Sequence, residues 1–76
     1  MSAIVEERAE HYGDPVPNHA RIAKLWSAFI GHEITAHDVA WMMVLLKASR
    51  SKVDPKHQDN YLDANGYIHI ARDIST

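Results

Sequence analysis

Apolar residues along this chain recur at helical rather than strand spacing. After Asn18, the residues Ile22, Leu25, Trp26, Phe29 and Ile30 fall at i, i+3, i+4, i+7 and i+8, which predicts an amphipathic helix. Asn18 suits its N-cap and Gly31 its end. Thr35 followed by Asp38 resembles a capping box and opens a further helix to about Ser49. Within it, Val39 to Leu46 contains no charged or strongly polar residue, and a helix apolar on every side requires neighbours all round.

Two flanking helices complete the pattern. Ser2 can cap a helix to about His11 that carries Ile4, Val5 and Ala9, and Gly13, Asp14-Pro15 and Pro17 predict a loop from Tyr12 to Pro17. Asp54-Pro55 reads as an N-cap and first helical position. The helix it starts runs to about Asp73, with Tyr61, Ala64, Ile68 and Ala71 on one face and Gly66 inside it. The expectation is an all-α fold, a compact bundle of about four helices in a single domain spanning residues 1–76. Three other helices are too few to enclose the apolar one, so it is expected to oligomerise the protein.

Composition narrows the function classes. The absence of cysteine excludes disulfides, thiolate nucleophiles and cysteine metal sites, and gives no reason to expect an oxidising compartment. No apolar run approaches the ~20 residues that span a bilayer, and Met1 to Glu10 lacks the plan of a signal peptide. With 8 Lys+Arg against 10 Asp+Glu, a net charge of -2 gives no general attraction to DNA. The expected setting is the cytoplasm, without membrane or DNA as partner. Phosphate-loop and dinucleotide fingerprints are missing.

Candidate chemistry concentrates on two stripes. Lys47 and Arg50 are three apart, and Asp59 and Asp63 four apart, so each pair shares a helix face. If the helices pack antiparallel, the stripes face each other. One reading is a salt-bridge ladder pinning the two helices together. The other is a ligand site, in which the cations take a phosphate and Asp59 or Asp63 takes a sugar hydroxyl or divalent ion, with Asn60 as amide reader and Tyr67 as stacking ring.

The six histidines make no H-E-x-x-H or H-x-x-x-H pair, so zinc is not expected and exposed or capping histidines are. Glu6, Glu7 and Glu10 form E-E-x-x-E, read either as magnesium ligands or as complements to a helix dipole. Trp26 and Trp41 read as core or subunit-interface aromatics.

Tyr12-Gly13-Asp14-Pro15, Asn18, Ile22-Ala23, Leu25-Trp26-Ser27, Ile34-Thr35, Asp38-Val39-Ala40, Leu45-Leu46-Lys47, Arg50, and Asp63 with Gly66-Tyr67 together resemble a family of small proteins from tailed bacteriophages and prophages, mostly of actinobacterial hosts. The family is known as a domain of unknown function. The resemblance runs from about Glu7 to Ala71 and implies a phage accessory protein acting inside a bacterial cell. It also implies a distant similarity to MazG-like all-α nucleoside triphosphate pyrophosphatases, which bind magnesium through E-E-x-x-E and E-x-x-D. Here those motifs map to Glu6, Glu7 and Glu10 and to Asn60-x-x-Asp63, with Asn60 in place of the glutamate and about fifty residues between them.

Three functions follow as expectations. The first is a non-enzymatic oligomer binding a small nucleotide-type ligand through Lys47, Arg50, Asp59, Asn60, Asp63 and Tyr67, without a cofactor, and so sequestering a host defence signal. The second is a magnesium-dependent pyrophosphohydrolase using Glu6, Glu7, Glu10 and Asp63. The third is a module that binds a host protein.

Overall fold

The computed structural model describes residues 15–74, which form three helices: α1 over Pro15–Ile30, α2 over Ala36–Val53 and α3 over Gln58–Ile74. The predicted helix from Ser2 to His11, with Glu6, Glu7 and Glu10, lies outside the described residues. Among the described residues the architecture is all-helical, as the spacing predicts, with three helices where about four are expected over the whole chain. The most extensive packing is between α2 and α3, and α1 rests mainly on α2.

Helix α1 starts earlier than expected. Pro15 and Pro17 belong to its first turn rather than to a loop. Backbone N–H groups there have no intrahelical partner, so prolines lose nothing and their fixed φ favours the helix. Asn18 is consequently inside the helix, where its Oδ1 accepts from Arg21 Nη1 at 3.1 Å instead of capping.

Gly31, at a φ of 77°, ends α1 in the left-handed region and donates its N–H to Ser27 O at 2.8 Å. The link to α2 is held by the Ser27 hydroxyl. It accepts from Ile34 N–H at 2.8 Å and lies 2.6 Å from Ala23 O and 3.1 Å from Ile34 O, the two carbonyls to which it can donate.

Helix α2 opens with the expected capping box. Asp38 N–H donates to Thr35 Oγ1 at 3.1 Å and Thr35 N–H to Asp38 Oδ2 at 3.0 Å. These bonds hold the Asp38 carboxyl below its usual range, the Thr35 backbone N–H contributing most. At its other end α2 continues to Val53, past the predicted stop at Ser49. Asp54 is the C-cap of α2 rather than the N-cap of α3, its N–H donating to Arg50 O at 2.9 Å. The turn 54–57 then leads to α3, with Tyr61 Oη donating back to Pro55 O at 2.7 Å.

Among the described residues, Ala23, Val39, Ala40, Ile70 and Ala71 are the buried apolar ones, and Ala40, Ile70 and Ala71 form a cluster against which Tyr67 and Ile74 pack. On α3 the inward face is therefore Asn60, Gly66, Ile70 and Ala71, whereas Tyr61 and Ile68 of the predicted face are exposed. The apolar stripe of α1 differs in the same way: Ile22 and Trp26 are half-buried, but Leu25, Phe29 and Ile30 are exposed, Phe29 at 92%. Nor is α2 enclosed on all sides, since Trp41, Met42, Leu45 and Leu46 are exposed while Val39, Ala40 and Lys47 are buried.

Candidate functional site

The antiparallel register of α2 and α3 decides which of the two stripes meet. Lys47 Nζ lies 3.0 Å from Asp63 Oδ2, with side chains only 10% and 17% exposed. This contact joins the middles of the two helices. One turn further towards the connecting turn, Arg50 and Asn60 come to the same level, three residues on from Lys47 and three back from Asp63.

Around them Ser49, Arg50, Val53, Asp54, His57 and Asn60 line an open depression of about 420 Å³. Arg50 is exposed and makes no ion pair among the described residues. Asn60 is 6% exposed. Its backbone N–H donates to His57 O at 3.2 Å, and its carboxamide has no hydrogen-bond partner among the described residues. A guanidinium next to a carboxamide with both donor and acceptor free is suited to a phosphate attached to a polar ring or sugar.

The two readings of the stripes thus divide between residues. Lys47 and Asp63 are a structural ion pair, whereas Arg50 and Asn60 face open space. Asp59 is not in the lining. Its Oδ2 is 3.8 Å from His57 Nε2 at the surface, an ion pair only when the histidine is protonated. Tyr67 is also away from the depression, packing on the Ala40–Ile70–Ala71 cluster with its ring centroid 6.0 Å from that of His19. Ser49, Val53, Asp54 and His57 were not singled out by the sequence. Their signal was the Asp54-Pro55 dipeptide, read as a helix start when it is a turn that folds His57 back towards Arg50.

His19 departs from the expectation of exposed or capping histidines. It is 5% exposed, its Nδ1 donates to Pro15 O at 2.7 Å, and its Nε2 is buried without a hydrogen-bond partner among the described residues. Burial lowers its pKa, opposed by the Pro15 hydrogen bond, which leaves the ring neutral. His37 accepts from Trp41 Nε1 at 3.1 Å. Among the described residues no group of three or more His, Cys, Asp or Glu side chains is placed to hold a metal ion, and no helix is long and apolar enough to cross a membrane.

The described residues form an all-helical unit with a polar, cation-bearing recess between two of its helices. The chain belongs to the family described as Domain of unknown function (DUF6378), which matches residues 1–75. It is similar to the Gene 55 protein of Mycobacterium phage L5, at 50% identity over 65 residues that make up 84% of this chain and 42% of that protein. It is similar also to the Gene 55 protein of Mycobacterium phage D29, at 41% identity over 61 residues, 80% of this chain and 40% of that protein. The chain therefore spans about two-fifths of the length of these curated relatives. No solved structure matches it. Phage origin is as the sequence resemblance implies.

Proposed function

We propose that this chain is a non-enzymatic phage accessory protein that binds a small nucleotide-type ligand in the depression between α2 and α3. The observation that carries this reading is the exposed Arg50, without an ion pair among the described residues, beside the largely withdrawn Asn60 in the lining of the same depression. Arg50 takes the phosphate through paired N–H donors, Asn60 reads the polar edge of the base, and Asp54 accepts from a sugar hydroxyl. A volume of about 420 Å³ is within the range of small-molecule sites. In a phage protein, such a site suits the capture of a nucleotide made by the host, a defence signal included.

The pyrophosphohydrolase alternative asks Asp63 to bind magnesium, and that carboxylate is engaged by Lys47. Asn60, in the position of the expected glutamate, is a neutral and weaker ligand for a hard cation. Neither observation favours it over simple binding.

Isothermal titration calorimetry against mononucleotides, triphosphates and cyclic dinucleotides tests the proposal. At least one class should give saturable heat, with affinity falling tenfold or more in Arg50→Ala. Absence of heat across the panel, or binding unchanged in Arg50→Ala, overturns it.

A further inference from the structure

The apolar positions that would ordinarily fill a helical core are on the outside of this protein. Leu25 and Phe29, one turn apart on α1, are 64% and 92% exposed. On α2, Trp41, Met42, Leu45 and Leu46 are 44%, 36%, 67% and 42% exposed. At 3.6 residues per turn, these four fall within an arc of about 140° on one side of α2. Leu25 and Phe29 lie in the last turns of α1 and Trp41 to Leu46 in the middle of α2, before and after the short link that joins Ile30 to Ala36. Together they present roughly 700 Å² of side-chain surface, close to the ~800 Å² that each partner contributes to a standard stable interface. Isolated exposed leucines need no explanation, but a patch of this size does.

We propose that this side of α1 and α2 is a self-association face, covered in solution by the same face of a second copy. Two features choose a second copy over an unlike partner. A two-fold interface sets each surface element against itself or its near neighbours, so any charge within it meets its own kind. The stretch Val39 to Leu46 is free of charge. Among the described residues, Val39 is also the one large, fully buried side chain. Doubling the molecule encloses the aromatic and aliphatic bulk that a single copy leaves wet, by pairing two helices of one copy with two of the other.

The face adjoins the recess on α2, Leu46 being one turn from Arg50, so its test reads the mass of the assembly rather than ligand binding. Sedimentation velocity of the 76-residue chain at micromolar concentration should give twice the 8.6 kDa monomer mass. Phe29→Asp combined with Leu45→Asp should return the mass to that of a monomer, with helical circular dichroism retained. Because the chain has no cysteine, single cysteines supply a readout that does not depend on a disruptive variant. Leu45→Cys should form a disulfide-linked dimer under mild oxidation at least tenfold faster than Lys56→Cys, which is on the exposed turn. A monomeric wild-type chain overturns the proposal, as does a dimer that survives the double substitution or cross-links equally fast from both cysteines.

Discussion

Lys47 and Asp63 meet at 3.0 Å across the α2–α3 interface, each largely withdrawn from water. The pair is a fixed point of register between the two helices. Shifting either helix by one residue would part the charges and leave both desolvated, at several kcal/mol per ion.

Removing one partner should therefore be more harmful than removing both. Lys47→Met removes the cation 3.0 Å from Asp63 and is expected to lower stability by about 3 kcal/mol in urea denaturation. Lys47→Met with Asp63→Leu should recover most of that loss. A double variant as unstable as the single one would show that the pair is more than an electrostatic clasp.

Ser27 closes the α1–α2 link by serving the N–H and C=O of Ile34 from one hydroxyl. Ser27→Ala strands a half-buried N–H, and the expected loss is about 2 kcal/mol by the same denaturation measurement. Ser27→Thr keeps the hydroxyl and should retain more than half of the stability.

His19 gives the protein a pH-dependent stability of definite sign. Its folded-state pKa is below the ordinary value of 6.5. As pH falls through 6.5, the unfolded chain takes up a proton that the buried ring refuses, and stability decreases until pH reaches the folded-state value. The contribution is complete above about pH 7. Thermal melts from pH 7.5 to 5 should show a falling midpoint in the wild type and a shallower fall in His19→Gln. Equal slopes would remove His19 as the cause.

Gly31 has open space around the position a Cβ would take, so its constraint is conformational rather than steric crowding. At a φ of 77°, Gly31→Ala is expected to destabilise by about 1 kcal/mol, and Gly31→Asn by less, because asparagine tolerates this region better. Comparison of the three melting midpoints checks the order.

Features with local causes were legible in the sequence. The Thr35–Asp38 box depends on residues three apart, and its geometry is the predicted one. The facing of Lys47 with Asp63 followed from spacing on two helices packed antiparallel. Prolines were the main source of error, because Pro15 and Pro55 each admit two local readings. One is a break between helices and the other a helix's first turn, and the tertiary setting picked opposite answers at the two positions. Burial was read least well. Helical periodicity marked Ala40 and Ala71 as inward, and they are buried. It also marked Leu25, Phe29, Tyr61 and Ile68, which are exposed, and it missed Gly66 and the polar Asn60, which the α2–α3 packing turns inward. Of the candidate ligand residues, Arg50 and Asn60 share a recess, while Lys47, Asp63, Tyr67 and Asp59 are committed elsewhere or lie outside it.

An interior built on Ala23, Ala40 and Ala71 has one further consequence. Small side chains let helix backbones lie close, so the dimensions of the bundle are set by main-chain proximity, with little slack for a larger residue. A larger side chain at any of these three positions is therefore expected to force the helices apart, at a cost of about 1–3 kcal/mol. What these three interior positions constrain is side-chain volume more than hydrophobic character.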